Sequence, residues 1–203
     1  MVKPEVRVTP RSARGIRTRS ALVDAARVVF ERDGYLEARL SDISAEAGVA
    51  SGSLYTYFEG KEAIFQAVAE QVTEEMLHPH LRVRTGVSDP RELIDLANRE
   101  YLRSYKKNAK LMALFEQVSQ IDEDFRKVRI ERADAFVQRN AKMIRTLQKQ
   151  GKADAELDPV LTAHALSGMV SRMAYVAFVQ KAPMPFERLV ATLNRIWINA
   201  LGL

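Results

Sequence analysis

Apolar residues recur at intervals of three and four positions along almost the whole chain, and this helical spacing restricts the fold more than any other feature. One such stripe ends just before Gly34 and consists of Leu22, Ala25, Ala26, Val29 and Phe30. Alternation with a period of two, which a half-buried strand requires, is not sustained over any useful length. The sequence therefore predicts an all-α protein with about nine helices.

The predicted helices fall into two groups. Those before residue 60 are short, and those beyond a loop that contains Gly86 and Pro90 are longer. We therefore expect two functional parts preceded by an arm. The expected boundaries are a basic, disordered arm over residues 1–16, a three-helix head over 17–60 and a larger helical bundle over 61–203.

The formal charge of the chain is concentrated at its beginning. Residues 1–20 contain six basic residues against Glu5, a local net charge of +5, while the remaining basic and acidic residues cancel. The six are Lys3, Arg7, Arg11, Arg14, Arg17 and Arg19. Such an arm is either a solvated tail or a segment that contacts phosphates or a minor groove of DNA.

The stretch from Leu40 to Lys61 has the pattern of a helix-turn-helix. Two short helices are separated by Ala47-Gly48-Val49, a tight turn whose glycine is free to adopt a positive φ. The second helix begins with small polar residues followed by aromatic ones, which suits a helix that enters the major groove of DNA. On spacing alone, an ordinary pair of packed helices remains the alternative.

The same stretch resembles the DNA-binding domain of the TetR family of transcriptional regulators. The resemblance covers roughly residues 17–65. Its motifs are Gly34-Tyr35, Asp42-Ile43, Ala47-Gly48-Val49, Gly52-Ser53-Leu54-Tyr55, Tyr57-Phe58 and Lys61-Glu62.

The resemblance implies which residues touch DNA and which form the core of the head. The expected contacts are Arg39, Ser41, Ala50, Ser51, Gly52, Ser53, Tyr55, Thr56, Tyr57 and Lys61. Tyr55 and Tyr57 correspond to aromatic positions that contact backbone phosphates or pack beside them, and Lys61 corresponds to a position that meets a backbone phosphate. The expected core positions are Leu40, Ile43, Leu54 and Phe58.

This chain departs from the family pattern at two places. Arg39 stands where the family has a Thr or Ser that caps the second helix, so either a neighbour caps it or Arg39 contacts a phosphate instead. Ala50 and Ser51 stand where the family favours Ser followed by a basic residue. The recognition helix is therefore less basic than usual, and we expect the arginine arm to compensate.

The resemblance also implies a homodimer formed through the last two long helices. The segment from about Pro159 to Lys181 is apolar on nearly every side, which predicts a central, buried helix. Along it, Ala163, Ser167 and Ser171 recur every four residues and permit a close helix approach. The apolar face of the last helix consists of Leu193, Ile196, Trp197 and Leu201. Packing within one chain explains both features equally well.

The family resemblance further implies a site for a small-molecule effector inside the bundle. The candidate ligand contacts are Tyr101, Tyr105, Met112, Phe115, Arg132, Phe136, Asn140, His164, Met169 and Met173. Arg132, Asn140 and His164 are polar residues within apolar stripes, so each either has an internal partner or faces a ligand. The hypothesis is a long, apolar effector whose polar or anionic head meets Arg132. The expected protein is thus a repressor that binds a palindromic operator as a dimer and is released by this effector.

Other functional classes have less support. An enzyme would rely on His78, His80 or His164, but their spacing is not that of a helical metal pair, and the sequence has no phosphate-binding glycine loop or nucleophile elbow. We therefore expect no catalysis, metal or cofactor, no membrane association and a cytoplasmic location. A DNA-binding dimer without an effector, and activation in place of repression, remain open.

Overall fold

A computed structural model describes residues 12–82 and 89–203. Within these ranges the chain forms nine α-helices and no strand, so the predicted all-α fold is confirmed. The helices are α1 (Ala13–Glu37), α2 (Leu40–Glu46), α3 (Ser51–Tyr57), α4 (Lys61–Arg82), α5 (Pro90–Lys107), α6 (Ala109–Ser119), α7 (Glu123–Lys149), α8 (Pro159–Ala174) and α9 (Phe186–Leu201). The chain divides into two compact units, the first ending at Glu74 and the second beginning at Glu75. The predicted division at residue 60 stays a prediction.

Helix α1 begins earlier than the sequence predicted. The Ser12 hydroxyl accepts a hydrogen bond from the backbone N–H of Gly15 at 3.1 Å and so caps the helix. Residues 13–16, assigned to the disordered arm, are therefore helical. Residues 1–11 of the predicted arm lie outside the described residues.

Gly34 kinks α1 instead of ending it. Its φ of 78° lies in the left-handed region, which glycine adopts without a steric penalty. Beyond the kink, the Tyr35 ring packs 6.0 Å from that of Phe30 and 4.6 Å from that of Phe65 on α4. The kink thus contributes to an aromatic core between α1 and α4.

Helices α2 and α3 form the predicted helix-turn-helix. Gly48 has a φ of 66°, and the backbone N–H of Val49 donates to the Ser44 carbonyl at 3.0 Å, closing α2 in the way typical of a glycine-terminated helix. Ile43 and Leu54 are fully buried where the two helices pack together and against α1. The core positions expected at Ile43, Leu54 and Phe58 are buried, whereas Leu40 is half-buried.

In the second unit, α5 packs against α9 and α7 against α8. A chain of buried amides fixes the first of these pairs. The Asn98 Nδ2 atom donates to Asn194 Oδ1 at 2.9 Å, and Asn194 Nδ2 donates to Asp95 Oδ1 at 2.6 Å. Because an unpaired buried amide costs free energy, this network holds α5 and α9 in one register.

The expectation of one central, buried helix from Pro159 to Lys181 was wrong in two respects. Helix α8 ends at Ala174 and is followed by a π-helical turn, Tyr175–Val179. Its outer side is also exposed within the single chain, and the Leu161 side chain is 70% exposed. Periodicity detects apolar residues but does not reveal whether their own chain covers them.

The small-residue strip on α8 packs within its own chain. Ala163 is fully buried, the Ser167 hydroxyl accepts a hydrogen bond from Asn140 Nδ2 at 2.9 Å, and Ser171 bonds with Tyr101. Each residue of the strip thus has a neighbour in its own chain, and its use for contact between subunits stays a prediction.

The inner face of α9 also packs within its own chain. Leu193, Trp197 and Leu201 are buried in the single chain, and of the predicted apolar face only Ile196 is exposed, at 41%. None of the helices in the described ranges has the length and apolar content that crossing a membrane requires.

Candidate functional site

Helix α3 has a buried side and an exposed side. Leu54 is fully buried, and Phe58, directly after the helix, is 2% exposed. On the opposite side Gly52 and Thr56 are exposed, and Tyr55 beside them is 52% exposed. Most of the DNA contacts predicted in this segment are exposed: Ala50, Ser51, Gly52, Tyr55 and Thr56. The other two, Ser53 and Tyr57, are half-buried. The structure thus brings them together on one accessible surface.

At the start of α2, Arg39 occupies the N-cap position and its side chain makes no capping hydrogen bond. Its exposed side chain projects into solvent, and so does that of Ser41, whose hydroxyl donates to Asp42 Oδ1 at 3.3 Å. Asp42 in the first turn places negative charge at the positive end of the helix dipole. Within the described residues no other side chain caps α2, and the phosphate contact expected of Arg39 stays a prediction.

Lys61 begins α4 and connects it to the end of α1. Its ammonium group donates to the carbonyls of Leu36 at 2.9 Å and Ala38 at 3.2 Å, and lies 5.1 Å from the centre of the Tyr35 ring. An ammonium group has three N–H donors, so two of them are used inside the first unit. The third makes no hydrogen bond within the described residues, and the phosphate contact of Lys61 stays a prediction.

Three of the arginines assigned to the charged N-terminus lie on helix α1. Arg14 and Arg17 are exposed, and the Arg19 guanidinium lies 5.1 Å above the Phe58 ring. Since Phe58 directly follows α3, Arg19 links the basic part of α1 to the recognition helix. Part of the positive charge is therefore fixed on the scaffold of the helix-turn-helix.

In the second unit, several predicted ligand residues form an aromatic cluster. The Tyr101 ring centre lies 5.9 Å from that of Tyr105 and 6.2 Å from that of Phe136. Asn140, one turn further along α7, is held by Ser167. These four predicted residues come from α5 and α7.

Both tyrosines of this cluster are held in the neutral form. Burial raises the pKa of Tyr105, and the neighbouring Tyr101 adds to the rise. Burial also raises the pKa of Tyr101, partly opposed by its hydrogen bond with Ser171. The cluster therefore offers neutral phenol groups, which donate hydrogen bonds without carrying charge.

The remaining predicted ligand residues are more dispersed. Phe115 is buried on α6 and packs against Phe125, with ring centres 5.9 Å apart. His164, expected on a buried face, is exposed, with its Nε2 atom 4.0 Å from Asp134 Oδ1. Its position on the outer side of α8 corrects that expectation. The four other residues outside the aromatic cluster are half-buried, namely Met112, Arg132, Met169 and Met173.

Two aromatic residues beside the cluster were missed by the sequence reasoning. Phe178 lies in the π-helical turn, 6.4 Å from the Tyr105 ring centre, and it stacks on Phe186 at the same distance. The π-helical turn shifts the helical register, so α-helical spacing gave no signal for Phe178. The side chains of His78 and His80 lie outside the described residues.

Sequence comparisons identify the family. The profile described as "Bacterial regulatory proteins, tetR family" matches residues 22–68, which include the helix-turn-helix. A second profile, "Transcriptional regulator EthR, C-terminal domain", matches residues 95–201, more than half of the chain. The chain belongs to the TetR family. It is a TetR-family transcriptional regulator and therefore not an enzyme.

Individual relatives extend this result. The regulator EthR of Mycolicibacterium smegmatis is 21% identical over 200 residues, covering 95% of this chain and 92% of the relative. The A-factor receptor protein of Streptomyces griseus is 43% identical over 63 residues, but the alignment covers only 31% of this chain and 23% of that protein. Regulators of the family bind DNA and small-molecule effectors and act as dimers.

Solved structures show the same fold. A TetR-family regulator from Mesorhizobium loti has a TM-score of 0.79 at 18% identity, covering 95% of this chain and all of its own. The fatty acid degradation regulator FadR from Bacillus halodurans has a TM-score of 0.75 at 21% identity, covering 91% and 96% of the two chains. The predicted fold class, with an N-terminal helix-turn-helix, is confirmed.

Proposed function

We propose that this TetR-family regulator is a repressor that binds a palindromic operator as a homodimer and is released when a small, largely apolar effector enters its second unit. The observation that carries the proposal is the exposed side of α3. Gly52 and Thr56 lie opposite the buried Leu54, on the helix that the fold presents as the second of a helix-turn-helix. A relative from Pseudomonas putida with 30% identity over 84 residues, NicS, is described as a transcriptional repressor.

The DNA contacts are the surface of α3 together with flanking cations. Ser51, Tyr55 and Thr56 face the groove, while Arg39 and Lys61 meet phosphates on either side of it. Phosphate contacts position the protein, and contacts to base edges provide the specificity. The regulator acts where the operator is, in the cytoplasm.

The dimer forms through the outer side of α8 and of α9. Gly168 lies on the exposed side of α8, and a Cβ atom built on it would meet no atom within 4 Å. A glycine inside a helix costs about 1 kcal/mol relative to alanine, and no residue in the described part of the chain requires it here. A second copy whose helix approaches closely at this point accounts for it, and Leu161 and Ile196 are the apolar residues it would cover.

The effector binds beside the cluster of Tyr101, Tyr105 and Phe136. Aromatic rings surround its apolar body, the neutral phenols donate to its acceptor atoms, and Arg132 meets an anionic head if it has one. The names of two similar proteins, a fatty acid degradation regulator and an A-factor receptor, are compatible with small, apolar effectors. Binding favours a conformation in which the two recognition helices no longer match the half-site spacing, with α4 as the connecting helix.

Selection from random duplex DNA tests the operator and the dimer. The full chain should enrich a palindrome whose half-sites are about one helical turn apart, and sedimentation should give two chains per duplex. Tyr55→Ala should weaken binding by at least tenfold, whereas Gln138→Ala, an exposed change on α7, should leave it unaltered. Enrichment of asymmetric sites by a monomer would contradict the proposal.

A thermal-shift screen tests the effector. Medium- and long-chain carboxylates should raise the melting temperature and release the selected duplex, with their methyl esters as neutral probes. Arg132→Ala should abolish the preference for the acid over the ester, and Arg126→Ala, an exposed arginine on the same helix, should not. If Arg132→Ala folds and keeps that preference, the role given to Arg132 is wrong.

A further inference from the structure

The recognition helix carries five hydroxyl groups and no charged or amide side chain. They belong to Ser51, Ser53, Tyr55, Thr56 and Tyr57. None of these side chains makes a hydrogen bond with any residue in the described ranges. The fold itself therefore does not account for this composition.

Thr56 differs from most of the other threonines on the described helices, although Thr162 on α8 also lacks a bond from its hydroxyl to the carbonyl four residues earlier. Thr73, Thr146 and Thr192 each donate their hydroxyl to the carbonyl four residues earlier, at 2.7, 2.9 and 2.8 Å. Thr56 makes no such bond, although it also lies in a helix and is exposed. Its hydroxyl and methyl groups are both open to an external partner.

Thr56 also occupies the most outward position of α3. It follows the buried Leu54 by two residues, which places it about 160° around the helix from the core. Gly52, one turn earlier on the same side, has no side chain, and the space around it is open. Thr56 is therefore the side chain of α3 that lies most directly opposite the buried Leu54.

The chemistry of base edges limits what this surface recognises. Guanine is read best by Arg or Lys, adenine by Asn or Gln and cytosine by Asp or Glu, and α3 has none of these residues. Thymine is read through its 5-methyl group by small apolar contacts, including the methyl group of threonine. Serine and threonine hydroxyls bond to base edges without selecting one base, so the methyl group of Thr56 is the feature of α3 that favours thymine.

We infer that Thr56 reads the 5-methyl group of a thymine in each operator half-site and so determines the base preferred opposite α3. This inference rests on the proposed operator binding. Arg39 and Lys61 orient the helix through the phosphates on either side of the groove. Recognition by α3 depends on methyl contact and shape instead of on charged hydrogen bonds.

Replacement of single thymines by deoxyuridine tests the inference, because it removes only the 5-methyl group. Duplexes selected from random DNA by the full chain are resynthesised with deoxyuridine at each thymine in turn, and affinities are measured by fluorescence anisotropy. One thymine in each half-site should lose about fourfold in affinity on replacement, the effect of one buried methyl group. Replacing both symmetric thymines should cost about 16-fold.

The variant Thr56→Ser removes the partner methyl group and keeps the hydroxyl. It should bind the thymine duplex about fourfold more weakly per half-site and should no longer distinguish deoxyuridine from thymine there. Thr146→Ser, the same change at an exposed position on α7, should keep the full discrimination. Circular dichroism should show that both variants retain the wild-type melting temperature.

The outcomes separate this inference from the proposed function. Discrimination that persists in Thr56→Ser, or selected half-sites in which no thymine is sensitive, would overturn the role of Thr56 while leaving operator binding intact. Half-sites fixed by a guanine that depends on Arg39 would do the same. If no duplex is enriched at all, operator binding itself fails.

Discussion

The two units of this protein differ in how their polar side chains are paired. In the first unit the core is mainly apolar and aromatic, and the hydroxyl groups of α3 make no hydrogen bond within the described residues. In the second unit, polar side chains such as Asn98, Asn194 and Asn140 are paired inside, while Leu161 and Ile196 are exposed. The first unit thus has a packed core, and the hydroxyl groups on its surface have no partner within the described residues.

The difference indicates what each unit needs for its function. Exposed polar groups on a packed scaffold suit a hydrated, charged partner such as DNA. In the second unit, the exposed apolar side chains suit contact with another protein surface. Its interior, which contains paired polar groups, suits an internal ligand. The following four predictions test this contrast, from the largest expected effect to the smallest.

The packing of α3 offers the strongest test. Leu54→Ala removes a fully buried side chain and should destabilise the first unit by about 3 kcal/mol, with loss of DNA binding. Thermal unfolding followed by circular dichroism measures the loss. Thr56→Ala, on the exposed side, should change stability by less than about 0.5 kcal/mol. Equal melting temperatures for Leu54→Ala and wild type would refute the assignment of Leu54 as the anchor of α3.

The exposed side of α8 is the next test. Gly168→Leu should weaken the dimer about 100-fold, because the symmetric interface meets the added side chain twice. Sedimentation velocity over a range of concentrations measures the dissociation constant. Ala135→Leu, which adds bulk at an exposed position on α7, serves as the control. A Gly168→Leu protein that dimerises normally would move the interface away from α8.

The buried tyrosines predict a loss of stability at high pH. Their folded-state pKa values are raised, so their contribution is fully present below a pH of about 10, the value for an unfolded tyrosine, and is lost as the pH rises above it. The slope should be about 1.4 kcal/mol per pH unit for each tyrosine. Urea unfolding between pH 9 and 11 measures it.

Tyr105→Phe should reduce this slope by one such contribution, whereas Tyr55→Phe, at an exposed position, should not change it. An unaltered slope in Tyr105→Phe would mean that the phenol group of Tyr105 is not shielded from water.

The smallest effect concerns Lys61. Lys61→Met should weaken operator binding about fivefold and lower the slope of log affinity against log salt concentration by about one per subunit, the value for one lost phosphate contact. Lys106→Met, a change of exposed charge on α5, should leave the slope unchanged. Weaker binding with an unchanged salt dependence would show that Lys61 acts only through its hydrogen bonds to the end of α1.

The sequence predicted the first unit more accurately than the second. Ile43, Leu54 and Phe58 were identified because the helix-turn-helix motif of the family assigns a core position to each of them. Gly34 was recognised as a special backbone position, although it kinks α1 instead of ending it. The start of α1 was missed because the Ser12 cap is a weak signal beside so many arginines.

In the second unit, periodicity led to errors where burial depends on more than local spacing. His164 and Leu161 lie among apolar residues but are exposed. Apolar residues occur on nearly every side of α8, so their spacing did not show which side is buried. Phe178 was missed because the π-helical turn changes the register. The pairing of Asn98 with Asn194 joins residues from opposite ends of the unit, and no local pattern predicts it.

The bonds from Lys61 to the carbonyls of Leu36 and Ala38 have a mechanical consequence. They tie the first turn of α4 to the end of α1, directly before the recognition motif begins. We therefore expect a rotation of α4 at this point to move the motif as a whole and not to loosen α3. Under the proposed effector response, release from DNA would then change the orientation of an intact helix-turn-helix and would require no local unfolding.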